Sequence, residues 1–148
     1  MRRYLLLPFV AALLVAADKP DDASKKDLEQ LQGDWGAVST TIDGNRLGDD
    51  ESQVVFRTIK GNEYSVSVYD KPVGKGTLTL DATKKPKEMD SRPANAAKDA
   101  PPLLGIYELD GDTLRTCYAL AGKERPKDFE CKKGSGHTLT VWKREKKK

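Results

Sequence analysis

The chain has 148 residues, with 26 Lys and Arg against 23 Asp and Glu, and this length suits one domain with a single core. Such a balanced charge removes the main electrostatic argument for binding to nucleic acid or to an anionic membrane, since both need a sustained basic face. The one local excess, at 143–148, is typical of a solvated chain end, the alternative being a weak contact with an anionic cell-surface polymer.

The first segment has the pattern of a secretory signal peptide. Two arginines follow the initiator Met, residues 5–15 form an apolar run, and Val15-Ala16-Ala17 offers the small residues that precede a cleavage site. The run is about half of the ~20 residues that cross a bilayer, so a retained anchor is the weaker interpretation. We expect cleavage after residue 17, export to the periplasm or the outside of the cell, and no integral membrane span afterwards.

A flexible leader over residues 18–27 is predicted to run into a short helix. Ser24 stands three residues before Asp27, which resembles a capping pattern, and two leucines that follow share one helical face. Gly33 can supply a left-handed C-terminal cap. These signals predict a helix of about two turns that delivers the chain to Trp35.

After Trp35 the helical period gives way to short alternating runs separated by turn residues, as in an all-β sandwich or barrel. One domain over residues 28–148 with seven or eight strands is therefore expected, and residues 92–102 are predicted to be a loop. The predicted strands are Trp35 to Ile42, Gln53 to Lys60, Glu63 to Tyr69, Gly76 to Leu80, Leu103 to Leu109, Thr113 to Ala119 and His137 to Arg144, with a weaker one at Lys87 to Ser91.

A hairpin is predicted where Gly61 and Asn62 separate two alternating runs, which sets Lys60 opposite Glu63. Both faces of this hairpin mix apolar and polar residues, so the sequence leaves open which of them points inward. The slightly more apolar face carries Val55, Arg57, Ile59, Tyr64, Val66 and Val68.

The strongest turn signal is Asp110-Gly111-Asp112, which predicts a second hairpin. Its predicted inward face holds Tyr107, Leu109, Leu114, Thr116 and Tyr118.

On the outward side of this hairpin Cys117 could meet Cys131 from the long connection that follows. An exported protein meets oxidising conditions, so a disulfide is expected. It would close a loop of about 15 residues and contribute about 3 kcal/mol. Free thiols are the alternative, since the bond needs Cα atoms within ~7 Å of each other.

The segment from Leu31 to Trp35 resembles the entry to a lipocalin, in which a short helix leads into Gly-x-Trp and the Trp packs across the closed end of the barrel. Longer runs at 103–114, 122–129 and 134–137 are similar to a family of small exported bacterial lipocalin-like domains. This resemblance implies an up-and-down antiparallel β-barrel of about eight strands with a short N-terminal helix.

The resemblance also implies a role for the last strand. In lipocalins a basic residue near that strand often covers the Trp of the closed end. Lys143 or Arg144 could do this for Trp35, and Arg144 is the preferred candidate.

Few residues have the arrangement that catalysis or metal binding needs. His137 is the only histidine and follows Gly134-Ser135-Gly136, which lacks the Gly-x-Ser-x-Gly context of a nucleophile. With Cys117 and Cys131 it matches no compact zinc site, and the carboxylate runs lack the spacing of a calcium loop. We expect no catalytic residue, no metal site and no cofactor, and therefore a protein that is not an enzyme.

The expected function is binding of a small apolar or amphipathic molecule inside the barrel, where an inward Arg57 could pair with a carboxylate of the ligand. The alternative is a structural or protein-interaction module whose barrel is filled by its own side chains; an enzyme with an unrecognised site ranks third. Residues 125–129 are interpreted as a loop anchor, or otherwise as a contact for a protein partner. The predicted lining residues are Arg57, Tyr64, Val66, Val68, Tyr107, Leu109 and Tyr118.

Overall fold

The computed structural model of the protein describes residues 21–146. The predicted signal peptide and the first residues of the predicted leader lie outside this range. The described elements are α1 (Asp22–Gln30), β1 (Gly33–Ile42), β2 (Asn45–Arg46), α2 (Asp49–Ser52), β3 (Val55–Lys60), β4 (Glu63–Val68), β5 (Lys71–Asp81), β6 (Lys87–Pro93), β7 (Leu103–Asp110), β8 (Thr113–Tyr118) and β9 (Thr138–Arg144).

Eight of these strands form a closed antiparallel barrel. From β3 to β9 each strand pairs with the next one in the sequence, β1 pairs with β3, and β9 pairs back with β1. The two-residue strand β2 pairs only with the last residues of β1 and is not part of the barrel wall. The predicted all-β, up-and-down barrel with a short N-terminal helix is confirmed, and its architecture is lipocalin-like.

Helix α1 starts earlier than the capping pattern predicts. The side chain of Asp21, not that of Ser24, accepts the capping hydrogen bond, from Ser24 N at 2.7 Å. Ser24 is buried inside the first turn, where its hydroxyl donates to Asp21 and accepts from the backbone N–H of Ala82. The part of the predicted leader from residue 22 onwards is therefore helical and anchored to the barrel.

Both predicted hairpins are present, and the first has the predicted register. Lys60 lies opposite Glu63 across a turn in which Gly61 has a φ of +62°, a conformation that glycine adopts without steric cost. At the second hairpin Leu109 lies opposite Leu114.

Strand β5 is much longer than predicted. It begins at Lys71, directly after a tight turn in which Tyr69 and Asp70 take positive φ values of 50° and 60°. The residues that open β5 show no alternation of burial, because this end of the strand is exposed on both faces. The sequence pattern therefore predicts only the second half.

The core lies towards the end of the barrel covered by α1, which we call the closed end. There the first residues of β1, the turns at 61–62 and 111–112 and the end of β9 come together around α1. The opposite, open end carries the turn at 69–70 and the longer connections. The buried core residues are Leu31, Trp35, Ala37, Ile59, Leu78, Met89, Tyr107, Leu114 and Trp142.

The long connection between β8 and β9 is fixed to the outer wall of the barrel. Arg125 forms ion pairs with Glu88 and Asp90 on β6, and the guanidinium of Arg115 on β8 lies 4.3 Å from the ring centroid of Phe129. These contacts are what the interpretation of residues 125–129 as a loop anchor expects.

The predicted disulfide is not formed, and this expectation is corrected. Cys117 and Cys131 are free thiols. Cys117 lies on the outer face of β8, as predicted, and is fully buried there. The Cys131 Sγ lies 3.1 Å from the carbonyl oxygen of His137 and 3.4 Å from that of Thr41, so its thiol is directed at backbone carbonyls of β1 and the start of β9.

Candidate functional site in the barrel interior

At the closed end Trp35 forms the floor of the barrel. Its ring is fully buried, and its Nε1–H donates to the carbonyl of Leu31 at the end of α1 (2.9 Å). Arg144 on β9 covers the ring with its guanidinium carbon 4.3 Å from the centroid. Arg144 also donates to the carbonyls of Gln30 and Gln32 and pairs with Asp112 at 3.0 Å. The contact implied by the lipocalin resemblance is thus present, and the Arg144 guanidinium is bound by a ring, a carboxylate and two carbonyls.

A second polar group ties α1 to the closed end. The buried carboxylate of Asp27 accepts hydrogen bonds from Tyr107 OH and from Lys87 Nζ, both at 2.7 Å. Burial, and then the hydrogen bond to this carboxylate, raise the pKa of Tyr107, so its hydroxyl stays protonated and donates. The sequence suggests no such role for Asp27. The only sequence signal for this role is that Asp27 stands four residues before the buried Leu31 and so lies on the same face of α1.

The interior towards the open end is built from the inner faces of β3, β4 and β8. In the first hairpin, the slightly more apolar face, which carries Arg57 and Ile59, points inward. Arg57 is its most buried charged member, only 4% exposed, and it lies directly opposite Trp35 on β1 and Val66 on β4. Its strand position therefore holds a guanidinium at mid-height inside the barrel.

Aromatic rings surround the Arg57 guanidinium. Its central carbon lies 4.7 Å from the centroid of Tyr64 and 6.0 Å from that of Trp142, distances at which a cation is attracted to the ring face. Within residues 21–146, however, Arg57 has no carboxylate within ion-pair distance, and its Nε is buried without a hydrogen-bond partner. This buried cation therefore has ring faces as neighbours but no anion.

Tyr118 completes the group. The hydroxyl of Tyr118 is buried and, like Arg57 Nε, has no hydrogen-bond partner among the described residues. Burial raises the pKa of Tyr118, and the nearby Arg57 opposes this effect. The ring lies over Gly105 on β7, where an added Cβ would come within 2.6 Å of it. A glycine at 105 thus leaves the space that lets this ring lie across the interior.

The predicted lining residues divide between two regions of the barrel. Tyr64, Val66, Val68 and Tyr118 are half-buried and share the inner faces around Arg57. By contrast, the hydroxyl of Tyr107 is taken by α1, and Leu109 lies opposite Leu114 beside the closed-end turn at 111–112. These last two therefore belong to the closed end.

Other candidate chemistry stays separate from this interior group. His137 lies directly before β9, and its Nδ1 is buried with no hydrogen-bond partner in residues 21–146. Among residues 21–146, no three His, Cys, Asp or Glu side chains are placed to hold a metal ion. Over the same range no helix has the length and apolarity needed to cross a membrane.

No protein-family model matches the chain, and no curated protein and no solved structure matches it significantly. The contacts inside the barrel are therefore the basis for a functional assignment.

Proposed function

We propose that this protein is a non-enzymatic binding protein whose barrel takes up a small amphipathic molecule, with an anionic group of the ligand on Arg57. The observation that carries the proposal is the unpaired guanidinium. An arginine keeps its charge in proteins, and burying a charge is costly unless it is paired and hydrogen-bonded. A ligand carboxylate would supply the missing partner, and two parallel hydrogen bonds suit the geometry of a guanidinium.

The surroundings of Arg57 suit the rest of such a ligand. Tyr64, Val66 and Val68 present apolar surface, and the free hydroxyl of Tyr118 can donate to the same anionic group. Ligand sites generally combine an apolar lining with a small number of placed polar groups. The competing function, a filled barrel acting only through its exterior, leaves both polar groups without a role.

Export belongs to the same proposal. Export is supported by the charged, apolar and small-residue segments that precede Asp18. Together with the Gly-x-Trp entry, these segments favour assignment to the small exported bacterial lipocalin-like domains. Mass spectrometry of the protein from its own host should give an N-terminus at Asp18. An N-terminus at Met1 would contradict export by cleavage.

Binding is tested with a carboxylate and its uncharged counterpart. We expect decanoate to bind more tightly than decanol in isothermal titration calorimetry, because only decanoate can pair with Arg57. In Arg57→Met the affinity for decanoate should fall by about 10- to 100-fold, as expected for losing a buried charge-assisted hydrogen bond, and the affinity for decanol should change little. Native mass spectrometry of protein purified from its host would show any ligand that it retains.

A matched control is available on the outer wall. Arg115 also lies over an aromatic ring, that of Phe129, but it is paired with Glu108. Arg115→Met should therefore leave the affinity for decanoate unchanged. If neither compound binds, or if Arg57→Met keeps the preference for the carboxylate, the interior site is refuted and the filled-barrel function takes its place.

A further inference from the structure

A second concavity lies on the outer wall of the barrel, separate from the Arg57 guanidinium. It has a volume of about 650 Å³, within the roughly 300 to 1,000 Å³ of small-ligand sites. Strands β3, β4 and β5 form its floor, and the segment after β6 forms one wall. We call it the outer groove. It is bordered by Thr58, Tyr64, Lys75, Arg92, Ala97 and Lys98, among others.

The charge of the outer groove is strongly one-sided. The lining has four cations, Lys60, Lys75, Arg92 and Lys98, and one carboxylate, Glu63, while the carboxylate of Asp34 is hydrogen-bonded to Thr58 at the floor. None of the four forms an ion pair with any residue in the described part of the chain. This excess stands out in a protein whose charges nearly balance, and it favours an occupant with acidic groups.

The floor of the groove is polar and small. Thr58, Ser65 and Thr77 lie on adjacent strands and share one face, and all three are exposed, so this face points outward. The Thr58 hydroxyl donates to Asp34 at 2.6 Å and so can still accept. Side-chain hydroxyls at this spacing can hydrogen-bond to a row of hydroxyl groups on a ligand.

The groove does not suit a peptide or a nucleic acid. Strands β4 and β5 are each paired on both sides, so an extended peptide finds no free edge to join. Tyr64 is the only aromatic side chain of the lining, and the guanidinium of Arg57 lies against its ring. Single-stranded nucleic acids need aromatic faces on which successive bases stack, and this groove does not offer them.

We infer that the outer groove binds a short acidic oligosaccharide. Its carboxylates would pair with Lys75, Lys98 and neighbouring cations, its hydroxyls would bond to the Thr and Ser side chains of the floor, and its apolar ring faces would lie against the alanines of the wall. This proposal does not rest on the ligand proposed for the barrel interior, although Tyr64 borders both sites.

The test uses trigalacturonate, with neutral maltotriose as the uncharged comparison, in NMR titrations of the mature protein. Trigalacturonate should bind more tightly than maltotriose, and its affinity should fall as salt is added. The double variant Lys75→Gln, Lys98→Gln should weaken binding by about tenfold, the effect expected from two exposed ion pairs. Both lysines are exposed, so the fold should be unaffected.

The double variant Lys26→Gln, Lys123→Gln is the control, because it removes the same charge from exposed positions outside the groove. It should bind trigalacturonate as the unmodified protein does. Equal losses in the two double variants would reduce the effect to net charge and overturn the inference. Absence of binding would overturn it as well, and so would equal affinity for a triglutamate peptide or a short oligonucleotide.

Discussion

Arg144 and Arg57 each place a guanidinium against aromatic rings inside the same barrel, yet their surroundings differ. Arg144 lies at the closed end, where two backbone carbonyls and Asp112 accept its hydrogen bonds while Trp35 takes its face. Arg57 lies further inside and is more deeply buried; the rings of Tyr64 and Trp142 lie beside it, and no carboxylate among residues 21–146 is within ion-pair distance. The hydrogen bonds of Arg144 stabilise the closed end, whereas the burial of Arg57 is offset only in part by the rings beside it and would be offset further by a bound anion.

The largest expected effect concerns the floor of the closed end. Trp35→Ala should lower the free energy of unfolding by about 3 to 5 kcal/mol, since it empties a fully buried position and leaves Arg144 without its ring. Chemical denaturation measures this loss. A loss below about 1 kcal/mol would show that the ring does not support the closed end.

The same substitution at Arg144 and at Arg57 should have different effects on stability. Arg144→Met should destabilise the protein by about 1 to 3 kcal/mol, because several charged hydrogen bonds disappear. Arg57→Met should leave the stability of the ligand-free protein unchanged or raise it by about 1 kcal/mol, since an apolar side chain replaces a buried unpaired charge. If both variants lose stability equally in denaturation experiments, Arg57 is a structural residue and the contrast fails.

The smallest effect is a response of the closed end to acid. Hydrogen bonds from Ser24 hold the pKa of Asp21 below its ordinary value of 3.8. The charged carboxylate therefore stabilises α1 at pH values above 3.8, and this contribution is lost as the pH falls through the lower folded-state pKa.

This response can be followed by the NMR signal of the Ser24 amide. The signal should shift only below pH 3.8, the ordinary value, and Asp21→Asn should abolish the shift. Signals of residues around Arg57 should not follow the same titration. A midpoint at or above the ordinary value for a carboxylate would contradict the hydrogen-bonded cap.

Much of the fold could be predicted because its determinants are local. Turn residues at 61–62 and 110–112 fix the registers of two hairpins, and alternation along β7 and β8 identifies their inner faces. Trp35 and its cover by Arg144 could be predicted from the lipocalin resemblance. By contrast, α2, β2 and the first half of β5 carry no clear period, because the side chains there are mostly exposed.

The candidate site could be predicted only in part. Alternation suggests that Arg57 shares a face with Tyr64 and Val66, but whether that face points inward depends on how the whole sheet closes. Whether a carboxylate lies near Arg57 depends on all the strands that surround it, and these strands are distant from one another in the sequence. Likewise, the assignment of Tyr107 to the closed end depends on Asp27, which lies 80 residues away in the sequence.

The pairing of β1 with β9 has a consequence for how the protein acquires its structure. Trp35 and Arg144 are partners separated by about 100 residues of chain, and contacts between such distant residues slow folding because a large loop must close first. One side of β1 stays without its partner until the last strand arrives. A circular permutation that joins the ends of residues 21–146 and opens the chain in the turn after Gly61 would make β9 and β1 neighbours in sequence, but it would leave β3 and β4 as the distant pair. Because a closed barrel always needs one such closing contact, the folding rate should change little.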